Sequence, residues 1–335
     1  MILLEGAAPL PAGLEGSAVA IGNFDGVHRG HQALLAAAAN WATPRGKPWG
    51  VVTFEPHPSS FFRPDEAVFR LSPLPLKARL IQALGASLTA CLSFDQALAG
   101  LDAEAFVERE LVSRLKVGAV VVGYDFHFGK GRKGNAELLK RMGQAHGFET
   151  IVVDQVKDEA GRAPFSSSAT RASLRHGHVE AAAHELGYWW TVLGTVVPGD
   201  RRGRTIGFPT ANIVLEPGCE PKEGIYAVRV RLADDPAPRA AKGGAAYIGW
   251  RPTFATDRRF LEVFVFDFSG DLYGRRLLVE FVGFIRPDRG FDGVESLVRQ
   301  MTQDCDEARG RLAALERHDP CAALPLGRAQ AEGRI

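Results

Sequence analysis

Cysteine is scarce in this chain and scattered: Cys91, Cys219, Cys305 and Cys321 share no paired spacing. Neither a disulfide framework nor a cysteine zinc site is expected, and the reading that follows is a reducing, cytoplasmic setting. Charge of one sign is scarce too. Forty basic side chains against thirty-nine acidic ones leave a formal +1, which argues against a nucleic-acid partner held by a general basic field. No apolar run approaches the ~20 residues needed to span a bilayer, so no membrane partner is expected. The opening MILLEGAAPLPAG carries Glu5 and no basic n-region, unlike a secretory signal. Internal repeats and low-complexity segments are missing as well.

What is present is ordinary soluble composition, 46% apolar and 24% charged, in 335 residues. That length exceeds what one core usually serves, so two domains are expected. The first half alternates short apolar strands (17–21, 50–54, 88–94, 117–122 and 149–153) with helical patterns at 28–42, 76–84, 103–115 and 136–145. This alternation predicts an α/β fold with a parallel sheet covered on both faces. Beyond residue 187 the pattern turns β-rich, with runs at 190–197, 226–232, 245–249, 261–268 and 277–284 that suggest a small antiparallel barrel. A long helix follows over 293–316. The expected domains are therefore 1–186 and 187–317, with 318–335 a frayed tail.

The strongest motif is IGNFDGVHRGH, from Ile21 to His31, between the first strand and the first helix. Gly22, Gly26 and Gly30 let backbone approach a ligand closely. His28 and His31 are spaced so that both rings can meet one phosphate near the helix N-terminus. The carboxyl end of a parallel strand is where such sheets bind ligands. A Gly-rich turn with two surface histidines is the plainer alternative. Further on, Gly129 to Gly134 also fits GxGxxG, but it comes too late in the domain for a dinucleotide fingerprint. Lys130 and Arg132 are better suited to nucleotide phosphates. No Walker A loop occurs, because Tyr124 stands where its first glycine is needed and Gly131 where Ser or Thr should follow the lysine.

With its His-x-Gly-His motif the first half resembles the nucleotidyltransferases that hold the ATP triphosphate against two histidines. Class I aminoacyl-tRNA synthetases share the motif, but a Lys-Met-Ser-Lys-Ser stretch is missing here. TFEPHP (Thr53 to Pro58), GYDFHFGKGRKGN (Gly123 to Asn135) and SSSATR (Ser166 to Arg171) occur in the order found in bacterial bifunctional riboflavin kinase/FAD synthetases. The resemblance continues through GDRRGRTIGFPTAN (Gly199 to Asn212), GIYAV, YIGWRPTF, DLYG and IRPDRGF, and covers about residues 17–310.

That resemblance implies a Rossmann-like adenylyltransferase domain followed by a kinase barrel, with ATP, riboflavin and FMN as small-molecule substrates, FAD as product and Mg²⁺ accompanying ATP. It implies that Gly22, Asn23, Phe24, Asp25, Gly26, Gly30, Lys130, Arg132 and Ser168 bind nucleotide in the first site, with His28, His31 and Arg171 in catalytic roles. Taken alone, Ser168 reads as a helix N-cap. Phe54, Pro56, His57, Pro58 and Asp125 are the implied flavin residues there, and Arg286 in the second site. Gly199, Gly203, Gly207, Thr210 and Asn212 are the implied phosphate loop of the kinase, Thr210 and Asn212 also serving the metal. Neutral oxygens suit a hard cation whose charge the phosphates already balance. In FLEVFVFDF, strand alternation puts Phe260, Glu262, Phe264, Phe266 and Phe268 on one face. A carboxylate in a phenylalanine row is unusual, and the resemblance makes Glu262 the kinase base. Thr170, His127 and Asn135 depart from common family residues.

Two other functions compete. One is a single-activity adenylyltransferase acting on another phosphorylated small molecule; the other is a flavin- or nucleotide-responsive regulator. The histidine pair, PTAN and Glu262 together favour the bifunctional enzyme. An oligomer is compatible with the sequence but nothing calls for one.

Overall fold

Six short runs rich in Val, Ile, Leu and Ala pair as parallel strands in a computed structural model of the chain, which describes residues 1–199, 202–235, 240–250 and 259–335. They are β1 (Ile2–Glu5), β2 (Ala18–Ile21), β3 (Trp49–Glu55), β4 (Leu88–Ser93), β5 (Ala119–Gly123) and β6 (Glu149–Val153). The sheet order is β1-β4-β3-β2-β5-β6, and every pairing is parallel. Strand β2 is buried along its whole length, as a central strand covered on both faces must be. From β2 the chain winds outward through β3 and β4 on one side, then returns to lay β5 and β6 on the other. The reversal puts a topological switch point between β2 and β5, where open α/β sheets bind ligands beyond the carboxyl ends of their strands. Strand β1 is an edge strand the sequence pattern missed.

The second half forms a closed barrel in the order β10-β11-β8-β7-β12-β9. Its members are β7 (Thr191–Val197), β8 (Ala211–Val214), β9 (Gly224–Leu232), β10 (Lys242–Trp250), β11 (Arg259–Val265) and β12 (Arg276–Arg286), all pairing antiparallel. The Val294–Arg317 helix presents Asp304, Ala308 and Leu312 to the barrel side as its buried residues.

Contacts divide the chain into two units, Met1–Ala67 with Pro73–Phe165, and Val68–Ser72 with Ser166–Ile335. The second unit thus includes a five-residue strap drawn from the first half. Phe69 and Leu71 of this strap are buried; the Trp190 indole N–H donates to the Leu71 carbonyl at 3.1 Å, and the Phe69 and Trp190 rings meet edge to face.

The expected frayed tail is a correction. Residues 318–335 include a short helix, Pro325–Ala331, and bury Cys321, Leu326, Ala329 and Ile335. Gln330 exchanges two 2.9 Å hydrogen bonds with the Trp189 backbone, and Asp319 accepts from the Trp189 indole and from Arg229. Local pattern gives no hint of this, because the partners lie more than 80 residues away in sequence. Among the described residues no helix is long and apolar enough to cross a membrane. Of the quoted motifs, Asp200, Arg201 and Arg251 to Phe254 lie outside the described residues.

Candidate active sites

Three loops that carry sequence motifs leave the carboxyl ends of the adjacent strands β3, β2 and β5. The β2 loop runs from Gly22 to His28 and feeds the Arg29–Ala42 helix. Its backbone is unusual: Phe24 and Val27 adopt left-handed φ values of 48° and 42°. Side chains rarely tolerate such angles, which persist only where the surroundings fix them. Phe24 and Val27 are fully buried, and Asp25 and Gly26 are buried between them. Gly22 and Asn23 remain half-buried at the mouth of the loop.

His28 is the N-cap of that helix, and its Nδ1 accepts the His31 backbone N–H at 3.4 Å. A neutral ring that accepts at Nδ1 carries its proton on Nε2, the tautomer that can donate to a phosphate. The His28 and His31 rings stack, with centroids 3.6 Å apart, so the two imidazoles do share one face. Gly30 makes room for this: a Cβ there would sit 3.0 Å from His28 Cε1. Arg29, between the two histidines, pairs with Glu159 at 2.6 Å and lies 4.3 Å from the Phe165 ring centroid.

Phe54 lies near the end of β3, and Pro56, His57 and Pro58 follow it. His57 repeats the capping device of His28: its Nδ1 accepts Ser59 N–H at 3.2 Å at the start of the Pro58–Phe62 helix. Sequence reasoning missed what this helix adds. Phe54, Phe61, Phe62 and Phe94 form a chain of edge-to-face rings with centroids 5.3–5.9 Å apart, and Phe62 is 65% exposed. Aromatic side chains left in water beside a ligand loop are suited to a flat apolar ring. The signal was the FF pair at 61–62, three residues past the motif.

After β5, Phe128 and Gly134 close a small hairpin that displays Lys130 and Arg132 in solvent. Asp125 is exposed, and its backbone carbonyl lies 2.9 Å from His127 Nδ1. Asn135 caps the next helix through Leu138 N–H at 2.9 Å, so this departure keeps the cap an Asp would supply.

Ser168 and Arg171 sit on the Ser167–Arg175 helix, in the second unit. Ser166, not Ser168, is the N-cap, accepting Ala169 N–H at 3.1 Å. Ser168 is exposed in the first turn. Arg171 donates through Nε to the Phe69 carbonyl at 2.6 Å and so secures the strap. Thr170 is fully buried and satisfied by the Ser166 carbonyl at 3.0 Å.

In the barrel, Ala211 and Asn212 of the Pro209–Asn212 segment begin β8. Strand pairing sets Asn212 directly opposite Glu262, and Glu262 opposite Tyr247. One row across three strands therefore carries an amide, a carboxylate and a phenol. Thr210 Oγ1 lies 3.4 Å from Glu262 Oε2. Asn212 is buried, and its Oδ1 has no hydrogen-bond partner among the described residues, whereas its Nδ2 donates to the Thr210 carbonyl at 3.3 Å. A buried acceptor left unpaired carries a desolvation cost that a ligand cation would relieve. Gly199 packs against this amide so closely that a Cβ would come within 2.4 Å of Asn212 Nδ2. Gly203 lies in the short Arg202–Thr205 helix, and Gly207 follows it with φ 88°.

The phenylalanine row is shorter than the pattern predicts. Leu261, Val263 and Val265 are buried, with Glu262 and Phe264 half-buried on the other face. The strand ends at Val265, and the chain turns at Asp267 with φ 51°. Phe268 therefore leaves the row, while Phe266 joins the cluster with Ala308 and Leu312. The Phe208 ring contacts Phe264 at 5.2 Å, which folds the 202–210 segment toward Glu262.

Arg286 is already engaged. It forms a two-point pair with buried Asp304 at 2.8 and 2.7 Å and donates to the Pro287 carbonyl. Tyr247 donates to Asp288 at 2.8 Å. Burial first, then this hydrogen bond and the Asp288 charge, push the phenol's pKa up, so it stays protonated as the donor.

The FAD synthetase family profile matches residues 10–169, and the riboflavin kinase profile matches residues 186–312. The bifunctional riboflavin kinase/FMN adenylyltransferase of Escherichia coli (strain K12) is 41% identical over 291 residues, covering 87% of this chain and 91% of that protein. The protein of the same description from Pseudomonas fluorescens is 39% identical over 319 residues, 95% of this chain and 100% of that one. Among solved structures, one described as a macrolide-efflux protein from Streptococcus pneumoniae is similar, with a TM-score of 0.79 and 31% identity over 92% of this chain and 99% of that one.

Proposed function

The chain belongs to the bifunctional riboflavin kinase/FMN adenylyltransferase family and carries both activities, and from that premise we propose how its residues divide the work. It phosphorylates riboflavin with ATP to FMN, then adenylylates FMN with a second ATP to FAD and pyrophosphate. We assign the first reaction to residues 187–317 and the second to 1–186. The observation that supports this division is that each half holds its own polar cluster: stacked His28 and His31 at the switch point, and the Asn212–Glu262 row across the barrel.

In the barrel, the riboflavin hydroxyl is the nucleophile and must lose a proton. Glu262 accepts that proton as the oxygen attacks the γ-phosphorus of ATP and ADP departs. Thr210 Oγ1 and the unpaired Oδ1 of Asn212 fit a hard cation, and together they would hold Mg²⁺, which supplies charge neutralisation on the phosphates when bound. Gly199, Gly203 and Gly207 shape the loop that admits the triphosphate. Arg286 serves the flavin side by fixing the start of the 287–293 segment through Asp304.

In the parallel-sheet unit, the nucleophile is the FMN phosphate. Its second pKa is about 6, so it is largely ionised at neutral pH and needs no base. Its oxygen attacks the α-phosphorus of ATP, and pyrophosphate leaves. Nε2–H of His28 and the His31 ring face the triphosphate at the helix N-terminus. Gly22 to Gly26 form the backbone cradle, with Lys130 and Arg132 on the phosphates; for Ser168 and Arg171 the phosphate role rests on the family resemblance alone. Pro56, His57, Pro58 and Asp125 line the flavin side, where the Phe54, Phe61, Phe62 and Phe94 rings offer an aromatic surface to the isoalloxazine. Small molecules, not nucleic acid or membrane, are the partners, and the demand for ATP in both steps supports a cytoplasmic location.

The test is purified protein with riboflavin and Mg·ATP, products resolved by chromatography. Accumulation of FMN and then FAD supports the division. FMN alone would mean an inactive first unit, and neither product would favour a regulator that binds without turnover.

A further inference from the structure

The residues of the Leu74–Ala83 helix that turn inward are Leu76, Ala78, Leu80, Ile81 and one lysine, Lys77. Lys77 is 1% exposed, a rare fate for an ammonium group, which is tolerated inside a protein only when paired and hydrogen-bonded. Two of its partners are on one strand. Nζ donates to Glu55 Oε1 at 3.3 Å and to Thr53 Oγ1 at 3.4 Å. The Thr53 hydroxyl in turn donates to the Asn23 carbonyl at 3.1 Å.

The direction of these bonds matters. An ammonium can only donate, so Thr53 Oγ1 accepts from Lys77 and its own proton is sent to Asn23. Asn23 is the residue immediately before Phe24, whose left-handed φ opens the turn toward His28. The other branch ends on Glu55, two residues before His57 at the helix cap. One buried cation therefore ties the carboxyl end of β3 to the loop after β2, and does so between the two motif segments.

We propose that Lys77 is a positioning residue for adenylyl transfer, which registers the Gly22–His31 loop and the Phe54–Pro58 loop against each other through Thr53 and Glu55. This rests on the assignment of those loops to ATP and flavin. Its role is alignment rather than stability. Removing one partner of a buried pair does lower stability, so the alignment is read on folded protein, where a small misplacement of reacting groups costs much.

The branches can be cut separately. Lys77→Met, close in length and without charge, should raise the KM for ATP and the KM for FMN in FAD formation, each about tenfold, matching the usual worth of a hydrogen bond to a charged group. Riboflavin phosphorylation by the same protein should be unchanged. Thr53→Val should raise the ATP value more than the FMN value, and Glu55→Gln the reverse. A folded Lys77→Met protein with both KM values within about twofold of wild type overturns the proposal. If that variant fails to fold, the other two decide. Opposite selectivity in Thr53→Val and Glu55→Gln supports the proposal, and equal shifts in both constants overturn it. His28→Ala with His31→Ala, run alongside, checks the loop assignment by itself: undiminished FAD formation there would remove the reading of the site without any result from Lys77.

Discussion

In the parallel-sheet unit the strand ends gather donors and cations beside Asp25 and Asp125: His28 and His31 stack at a helix start, with Lys130 and Arg132 on the next loop. In the barrel the corresponding row is made of oxygens, with Thr210 3.4 Å from Glu262 and Asn212 across the strand pair from it. The same cosubstrate, ATP, thus meets two different chemistries in one chain. What separates them is the nucleophile. On the division proposed above, a hydroxyl requires a base and a phosphate does not, so only the barrel needs a carboxylate in the role given to Glu262.

The contrast can be broken most severely at Glu262. Glu262→Gln keeps the size of the side chain but cannot accept the proton, so FMN formation should slow by about 10²–10⁴-fold. An undiminished rate would leave the barrel without a base and the contrast without its second term. Next in size is the double change His28→Ala and His31→Ala. Losing donors that strengthen on the phosphates in the transition state should cost about 10²–10³ in FAD formation from supplied FMN, while FMN production continues.

Smaller effects sharpen the picture of the barrel. Asn212→Ala removes the unpaired buried oxygen, and the Mg²⁺ concentration for half-maximal FMN formation should rise at least about tenfold. A Mg²⁺ titration that overlays the wild type would assign Asn212 to structure instead. Leu326→Ala should leave both chemistries nearly intact but lower stability by about 2–5 kcal/mol, the usual cost of emptying a fully buried leucine site. Urea unfolding followed by tryptophan fluorescence reports this directly, since Trp189 and Trp190 are buried in the same unit. A midpoint like that of the wild type would mean the tail does frayed work after all.

How much of this was readable from the chain differs by region. The apolar strands of the parallel sheet and the turn-bounded strands of the barrel declared themselves, because burial on two faces leaves a continuous apolar run and turn residues mark where each barrel strand stops. So did the glycines and histidines of the β2 loop, whose spacing has few other uses. Strand β1 left almost none, being four residues long at an edge. The tail was misjudged because Gln330 and Asp319 earn their places through contacts with Trp189 and Arg229 far away in sequence. Lys77 was invisible for a different reason: a lysine in an amphipathic helix reads as solvated until the acceptors on β3 are seen. The phenylalanine row was overextended because alternation carries no notice of the turn at Asp267. The alternative reading of Ser168, a helix cap, falls to Ser166 instead, since three serines in a row offer the same hydroxyl.

The most direct test of the division between the two units sets Glu262→Gln beside the double histidine variant and measures two rates for each, FMN from riboflavin and FAD from supplied FMN. The account predicts that the first variant loses only FMN formation and the second only FAD formation. Either variant losing both rates while still folded, or losing the other's rate, would contradict the assignment of two chemistries to two separate sets of residues.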